Sequence, residues 1–163
     1  MKKITCSNWI SSNGGAFIML PKSHANNWDA VKDYESTFYL PDFANLIDWN
    51  GISAVVLGDA PMDTAVLRFQ EEYMIVRWVY AENEDEIFNY LSKSDLNTFE
   101  PIEENYVEFA DVNLVIFDAS MNFFEGDFLS IILPKKHIFL TTYVLNFADD
   151  CKIIAHRFLL EKP

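Results

Sequence analysis

The feature that most constrains the fold is a series of short β-type segments that fills much of the chain from Ile52 onward. Each segment is rich in β-branched and aromatic residues and ends near turn-forming residues, a pattern typical of strands. The last two are separated only by residues 148–151, a length that joins the strands of a hairpin. The sequence therefore favours antiparallel pairing in a sandwich-like sheet. The predicted strands are Ser53–Leu57, Tyr73–Tyr80, Tyr106–Phe117, Phe128–Leu133, Ile138–Phe147 and Lys152–Leu160.

Helical signals are fewer. Ser23 is suited to cap a short helix that runs to Lys32 and places Ala25, Trp28 and Val31 on one side. Asn83 followed by Glu86 resembles a capping box and predicts a second helix. The inward residues of that helix are Ile87, Phe88 and Leu91. The segment from Asp33 to Trp49 has mixed signals and stays ambiguous. With Ala16–Leu20 as a further strand, we expect an α+β fold, mostly antiparallel β, with two or three short helices.

Length and composition indicate one folded domain, residues 1–163. Hydrophobic residues make up 50% of the chain, which is far too many for a disordered protein. No apolar run reaches the length of a membrane span, and no apolar segment follows the basic start, so we expect a cytoplasmic protein. The two cysteines, Cys6 and Cys151, are either a disulfide that joins the termini or two buried thiols; a reducing compartment favours thiols.

Charge is distributed very unevenly. The window from Glu82 to Asp127 holds 13 of the 25 acidic residues and a single base, Lys93. It therefore carries −12 of the formal net charge of −13. A chain of this charge repels nucleic acid and anionic membranes, so neither is an expected partner. A negative face suits a cationic protein instead.

The sequence contains no recognisable catalytic motif. The two cysteines have no partner motif, the three histidines are scattered, and no Gly-rich phosphate loop or metal-ligand spacing is present. The adjacent carboxylates form three pairs, Glu71-Glu72, Glu103-Glu104 and Asp149-Asp150, but neighbours on a strand point to opposite faces. We therefore expect a protein that is not an enzyme and that uses no cofactor and no metal.

The candidate partner-binding residues are acidic side chains of the charged window and two tryptophans. Aromatic residues are interleaved with the acids, and a tight binder of a basic protein combines charge with buried rings in this way. Two other interpretations remain open: the glutamates protect an edge strand from pairing, and the tryptophans are core residues. The candidates are Glu82, Glu84, Asp85, Glu100, Glu103, Glu104, Glu108, Asp111, Trp28 and Trp49.

Three motifs in the first half resemble a known family. They are Trp9–Gly15 (WISSNGG), Val56–Pro61 (VLGDAP) and Val76–Ala81 (VRWVYA), in that order. Their order and spacing are similar to those of the immunity protein 21 family of bacterial polymorphic toxin systems, over about residues 9 to 82. The resemblance implies a small cytoplasmic antidote that binds and neutralises a toxin encoded beside it. The matched motifs would be framework, and the acidic half would hold partner specificity.

Three hypotheses follow from the sequence. The first is an inhibitor of one cognate toxin, a basic nuclease, that binds through an acidic surface as a monomer or weak dimer. The second is a small-ligand-binding or enzymatic β domain with an acidic pocket. The third is an oligomeric module that pairs with itself through an edge strand.

Overall fold

The protein is described by a computed structural model, which covers residues 3–58, 62–69 and 72–162. The described residues contain strands β1 Ile4–Cys6, β2 Phe17–Pro21, β3 Ala44–Trp49, β4 Ile52–Leu57, β5 Thr64–Phe69, β6 Glu72–Tyr80, β7 Glu103–Glu108, β8 Asn113–Asp118, β9 Phe128–Ile132, β10 His137–Ala148 and β11 Cys151–Leu159. Three short helices accompany them, α1 Lys22–Ala25, α2 Ala30–Asp33 and α3 Glu84–Lys93. Single 3-10 turns lie at Tyr34–Thr37, Leu96–Thr98 and Phe123–Glu125.

The strands form two sheets. One has six strands in the order β1-β5-β6-β11-β10-β7, and the other has five in the order β3-β4-β2-β8-β9. Every strand pair is antiparallel. The predicted α+β class, mostly antiparallel with short helices, is therefore confirmed.

The main core lies between the two sheets. On β2, Phe17 and Met19 face this core, whereas Ile18 and Leu20 belong to a second cluster on the outer face of the five-stranded sheet. Successive side chains of a strand point to opposite faces, so a strand that is apolar throughout needs cover on both sides. The same alternation on β4 and β8 shows that the five-stranded sheet is covered on both faces.

The segment around α1 and α2 covers the outer face of the five-stranded sheet. The predicted helix from Ser23 to Lys32 is wrong as one element, because it breaks into two single turns. Asp29 caps the second turn by accepting a hydrogen bond from the Val31 N–H. Trp28 lies in the break and is only 1% exposed, whereas Val31 is 96% exposed. Burial of the large ring thus overrides the helical spacing.

Helix α3 covers the outer face of the six-stranded sheet. Ile87 and Leu91 are buried there in a third cluster. The predicted cap is confirmed, since Asn83 Oδ1 accepts from the Glu86 N–H at 3.0 Å. The Glu86 carboxylate in turn accepts a hydrogen bond, but from the Glu82 N–H and not from the Asn83 N–H. The arrangement therefore differs from a regular capping box in one bond, because Glu86 bonds to the residue before the cap.

One predicted strand is wrong, and three strands have no predicted counterpart. The predicted strand Tyr106–Phe117 is two strands, β7 and β8, in different sheets, because residues 109–112 cross between them. The ambiguous segment before Trp49 ends in strand β3, and strands β1 and β5 carried no prediction. Residues 59–61 of the matched motif Val56–Pro61 lie outside the described residues. Both cysteines are free thiols.

Candidate functional site

The acidic residues of the charged window do not share one surface. Asp118 is buried and accepts hydrogen bonds from the Asn13 N–H and from Ser120. Glu125 and Asp127 lie immediately before β9, at the edge of the five-stranded sheet. Most of the others lie on the α3 side of the six-stranded sheet. The α3 side of the six-stranded sheet is therefore the candidate binding surface.

One group of these acids surrounds the N-terminus of α3. Glu82, Glu84 and Asp85 are exposed there, and acidic residues at this end of a helix are stabilised by its dipole. Glu84 is also anchored, because its Oε2 accepts a hydrogen bond of 2.8 Å from Trp9 Nε1. Glu82 and Asp85 direct their charge to solvent.

The β10–β11 hairpin adds two carboxylates that the sequence window did not include. Tyr90 of α3 stacks on Phe147 of β10 at 5.1 Å, which brings the hairpin end with Asp149 and Asp150 beside the helix. The pKa of the Cys151 thiol is raised, first by burial and then by Glu86 and Asp150. In the sequence, the pair Asp149-Asp150 in a turn of hairpin length is the signal that could have added these carboxylates to the site.

Nearby carboxylates also act on the Cys6 thiol. Burial raises the pKa of its thiol to about 11, and the nearby Glu84 carboxylate contributes in the same direction. Burial is the larger cause at both thiols, and the carboxylates at this end of α3 add a smaller contribution that disfavours a nearby anion.

A second group of acids lies on strand β7. Glu104 is opposite Thr141 of β10, which is opposite Arg157 of β11. Paired residues share a face, so Glu104 lies on the same face as Arg157, whose guanidinium is over the Tyr143 ring of the α3-side cluster. Glu108 has the same orientation by the strand period of two.

Exposed rings accompany these glutamates. Tyr106 lies between Glu104 and Glu108 and is 54% exposed. It packs against Phe139 of β10 at 5.2 Å and lies beside His137. Strand β7 is also an edge strand, and glutamates on an edge disfavour pairing with another chain. The edge-protection interpretation therefore applies to this strand as well.

Glu103 points the other way. Its two carboxylate oxygens accept hydrogen bonds from the Phe43 and Ala44 N–H groups, at 2.8 and 2.9 Å. Asn105 continues this contact with a bond to the Ala44 carbonyl. Glu103 thus ties the edges of the two sheets together. Asp111 accepts a bond from the neighbouring Val112 N–H in the crossing between the sheets and is half-buried.

The two candidate tryptophans are core residues. Trp28 and Trp49 are 1% and 5% exposed and pack against each other at 5.5 Å under the five-stranded sheet. The Trp28 Nε1–H donates to the Ala119 carbonyl. Both rings are covered in this structure, on the outer face of the five-stranded sheet, and a partner-binding role for them stays a prediction.

A cleft of about 400 Å³ opens at the end of β11. Apolar side chains line most of it, and Arg157 lies in its wall. Arg157 Nε donates to Glu72 at 2.7 Å and Nη1 donates to Asn97. Burial alone lowers the pKa of Arg157, but the hydrogen bond and charge of Glu72 outweigh it and raise that pKa. Arg157 and Glu72 therefore hold each other in the wall of the cleft.

The cleft does not provide an acid–base pair. The Glu72 carboxylate is held by Arg157, and Asp95 Oδ1 accepts from the Asn97 N–H. Among residues 3–58, 62–69 and 72–162, no group of three or more His, Cys, Asp or Glu side chains is arranged to hold a metal ion. Within the same ranges, no helix is both long and apolar enough to cross a membrane.

The chain matches the family model for immunity protein 21 over residues 8–135 of its 163 residues. No curated protein and no solved structure matches it significantly. The predicted boundary of the resemblance near residue 82 is wrong, because the family model extends through α3, β7, β8 and β9. The acidic window therefore lies within the matched region. With well over half of its length matched, this chain belongs to the immunity protein 21 family.

Proposed function

We propose that this protein is a non-enzymatic inhibitor that binds a cognate toxin, a basic nuclease, through an acidic face. The acidic face consists of Glu82, Glu84, Asp85, Asp95, Glu100, Glu104, Glu108, Asp149 and Asp150. The observation that supports this proposal is the grouping of exposed carboxylates on the α3 side of the six-stranded sheet, next to exposed rings. The family supplies the coarser statement, an immunity protein with a toxin partner.

Charge gives the proposed partner its chemical class. A nuclease presents cationic groups to the phosphates of its substrate, and carboxylates on a rigid sheet can occupy the same positions. Complementary charge speeds the encounter between the two proteins and excludes wrong partners. The inhibitor itself then binds neither nucleic acid nor an anionic membrane, and it acts in the cytoplasm as one domain.

Apolar groups within the acidic face provide the contacts that slow dissociation. Tyr106 is exposed on β7, and Ile102, in the segment before it, is 52% exposed. Phe99 is 36% exposed and lies between Asp95 and Glu100. Partly exposed rings framed by charge are typical of the centre of a binding interface. The apolar cleft beside Asp95 would receive a side chain of the toxin.

The experiment is co-expression with the toxin encoded beside this gene, followed by measurement of growth rescue and of the dissociation constant. In the first variant, Glu104→Lys and Glu108→Lys are combined. Its matched control combines Glu35→Lys and Asp127→Lys, which change the net charge equally on the other side of the molecule. These four carboxylates make no side-chain hydrogen bond to another described residue, so both variants should keep their thermal midpoints.

We expect the first variant to bind at least about tenfold more weakly and to lose protection, while the control stays near the parent. Wild-type binding should also weaken between about 50 and 500 mM salt, because screening shortens the reach of exposed charges. Equal losses in both variants would disprove the location of the face. Binding that is independent of salt would disprove the electrostatic mechanism but not the immunity function.

A further inference from the structure

The four edges of the two sheets differ in protection. Edge strand β7 carries Glu103, Glu104 and Glu108, and edge strand β1 is only three residues long. Charge and shortness are the usual means by which proteins prevent edges from pairing. Edge strand β9 has neither, because Phe128–Ile132 contains no charged residue. The fourth edge strand, β3, contains the charged residue Asp48, so among the described strands β9 is the edge least defended against another chain.

Apolar side chains are exposed along β9. Phe128 and Ile132 are 40% and 60% exposed, and Phe124 in the preceding turn is 73% exposed. Leu129 and Ile131 face the core, so the strand is held firmly in place while its alternate residues face solvent. Lys22 lies over the Phe128 ring at 5.9 Å and Phe123 packs against that ring at 4.8 Å, and Phe128 nevertheless stays 40% exposed.

The backbone of β9 is oriented to accept a further strand. The Leu133 N–H donates to the Val112 carbonyl of the β8 side at 2.9 Å. Because polar backbone groups alternate sides with a period of two in an antiparallel strand, those of Leu129 and Ile131 face β8. Those of Phe128, Ser130 and Ile132 therefore point to the open edge.

The charges on the two sides of β9 have opposite signs, so they would attract each other if two copies of the strand paired antiparallel. Acids precede the strand, Glu125 and Asp127, and bases follow it, Lys135 and Lys136. If two copies pair antiparallel about Ser130, Phe128 lies opposite Ile132 of the second copy. The acidic approach of each strand then runs alongside the basic exit of the other. A second copy thus satisfies the exposed apolar pair, the free backbone groups and the charges together.

We propose that the protein forms a two-fold symmetric dimer through antiparallel pairing of β9 with β9 of a second copy. The two five-stranded sheets then join into one sheet of ten strands. This dimer leaves the six-stranded sheet and its α3 side open. The inference stands independently of the proposed toxin-binding face.

The test is the mass of the purified full-length protein, measured by sedimentation from low micromolar to submillimolar concentration. Wild type should move from monomer towards dimer. Ile132→Lys removes the apolar pair and adds a charge to the edge, and should raise the dimer dissociation constant at least about tenfold. Leu46→Lys is the matched control, since Leu46 is 44% exposed on β3, the opposite edge of the same sheet. It should leave the dimer unchanged.

A charge exchange tests the pairing order. Asp127→Lys should weaken the dimer, and Asp127→Lys combined with Lys135→Glu should restore it. Circular dichroism and thermal midpoints establish that each variant is folded. A monomer at every concentration overturns the proposal, as does a dimer that Leu46→Lys breaks and Ile132→Lys does not. Loss of toxin binding by Ile132→Lys, in a protein that stays monomeric throughout, also overturns it and assigns the edge to the toxin.

Discussion

Glu103 and Glu104 show how neighbouring identical residues acquire different roles. Both are acidic, both lie on β7, and the strand period of two sends their side chains to opposite faces. Glu103 accepts two backbone hydrogen bonds from the Phe43–Ala44 segment of the other sheet. Glu104 faces solvent on the α3 side. The first carboxylate therefore stabilises the fold, and the second is available to a partner.

This difference gives a prediction at the residue scale. Glu103→Gln removes the charge and replaces one of the two accepting oxygens with an amide NH2 group, which donates hydrogen bonds. One bond is therefore lost and the other is weakened. We expect it to lower the free energy of unfolding by about 1 to 3 kcal/mol. Glu104→Gln should change it by less than about 0.5 kcal/mol. Urea denaturation of both variants decides the matter; equal effects would contradict the two orientations.

His156 provides a second prediction at this scale, in its pH dependence. Its ring is fully buried, and Nδ1 lies 2.8 Å from Thr142 Oγ1. Burial lowers the pKa of His156 well below 6.5, and the neighbouring Arg77 adds to the effect. Below pH of about 6.5 the unfolded chain therefore binds a proton that the folded protein does not, so stability falls as pH falls.

The measurement is the free energy of unfolding of wild type and His156→Gln between pH 7.5 and pH 5, with His24 and His137 common to both. The wild-type curve should be steeper by up to about 1.4 kcal/mol per pH unit, the contribution of one proton. Parallel curves of unfolding free energy against pH would show that His156 takes up its proton equally in the folded and unfolded states.

At the scale of elements, sequence patterns predicted those segments whose local signals and packing agree. Strand β6 and the hairpin of β10 and β11 are long, β-branched and bounded by turns, and α3 begins at the predicted cap. The failures have identifiable causes. Trp28 breaks a helical pattern because its ring is buried, and residues 109–112 contain no Gly or Pro to mark the point where the chain crosses between sheets. Single-segment periodicity carries no information on either tertiary choice.

At the scale of the whole molecule, the sequence placed the negative charge correctly along the chain but not in space. The window divides between two sheets, Glu103 and Asp118 are used internally, and Asp149 and Asp150 join from a distant hairpin. Sheet topology decides these positions, since β7 and β8 are consecutive in sequence and lie in different layers. A linear count of charge predicts the sign of a partner, whereas the fold decides which carboxylates can meet it.

The concentration of charge on the α3 side gives the last prediction. Carboxylates without internal hydrogen bonds repel one another, and this repulsion opposes the folded state at low ionic strength. The combined variant Glu100→Gln, Glu104→Gln and Glu108→Gln should therefore be as stable as wild type or more stable, by up to about 1 kcal/mol in dilute buffer. Because salt screens the repulsion in wild type, the difference should shrink as salt rises to about 0.5 M. The same variant should bind the toxin more weakly. Calorimetric unfolding at several salt concentrations, beside binding assays, measures both effects; a variant that is less stable at every salt concentration would show that these carboxylates support the fold rather than the interaction.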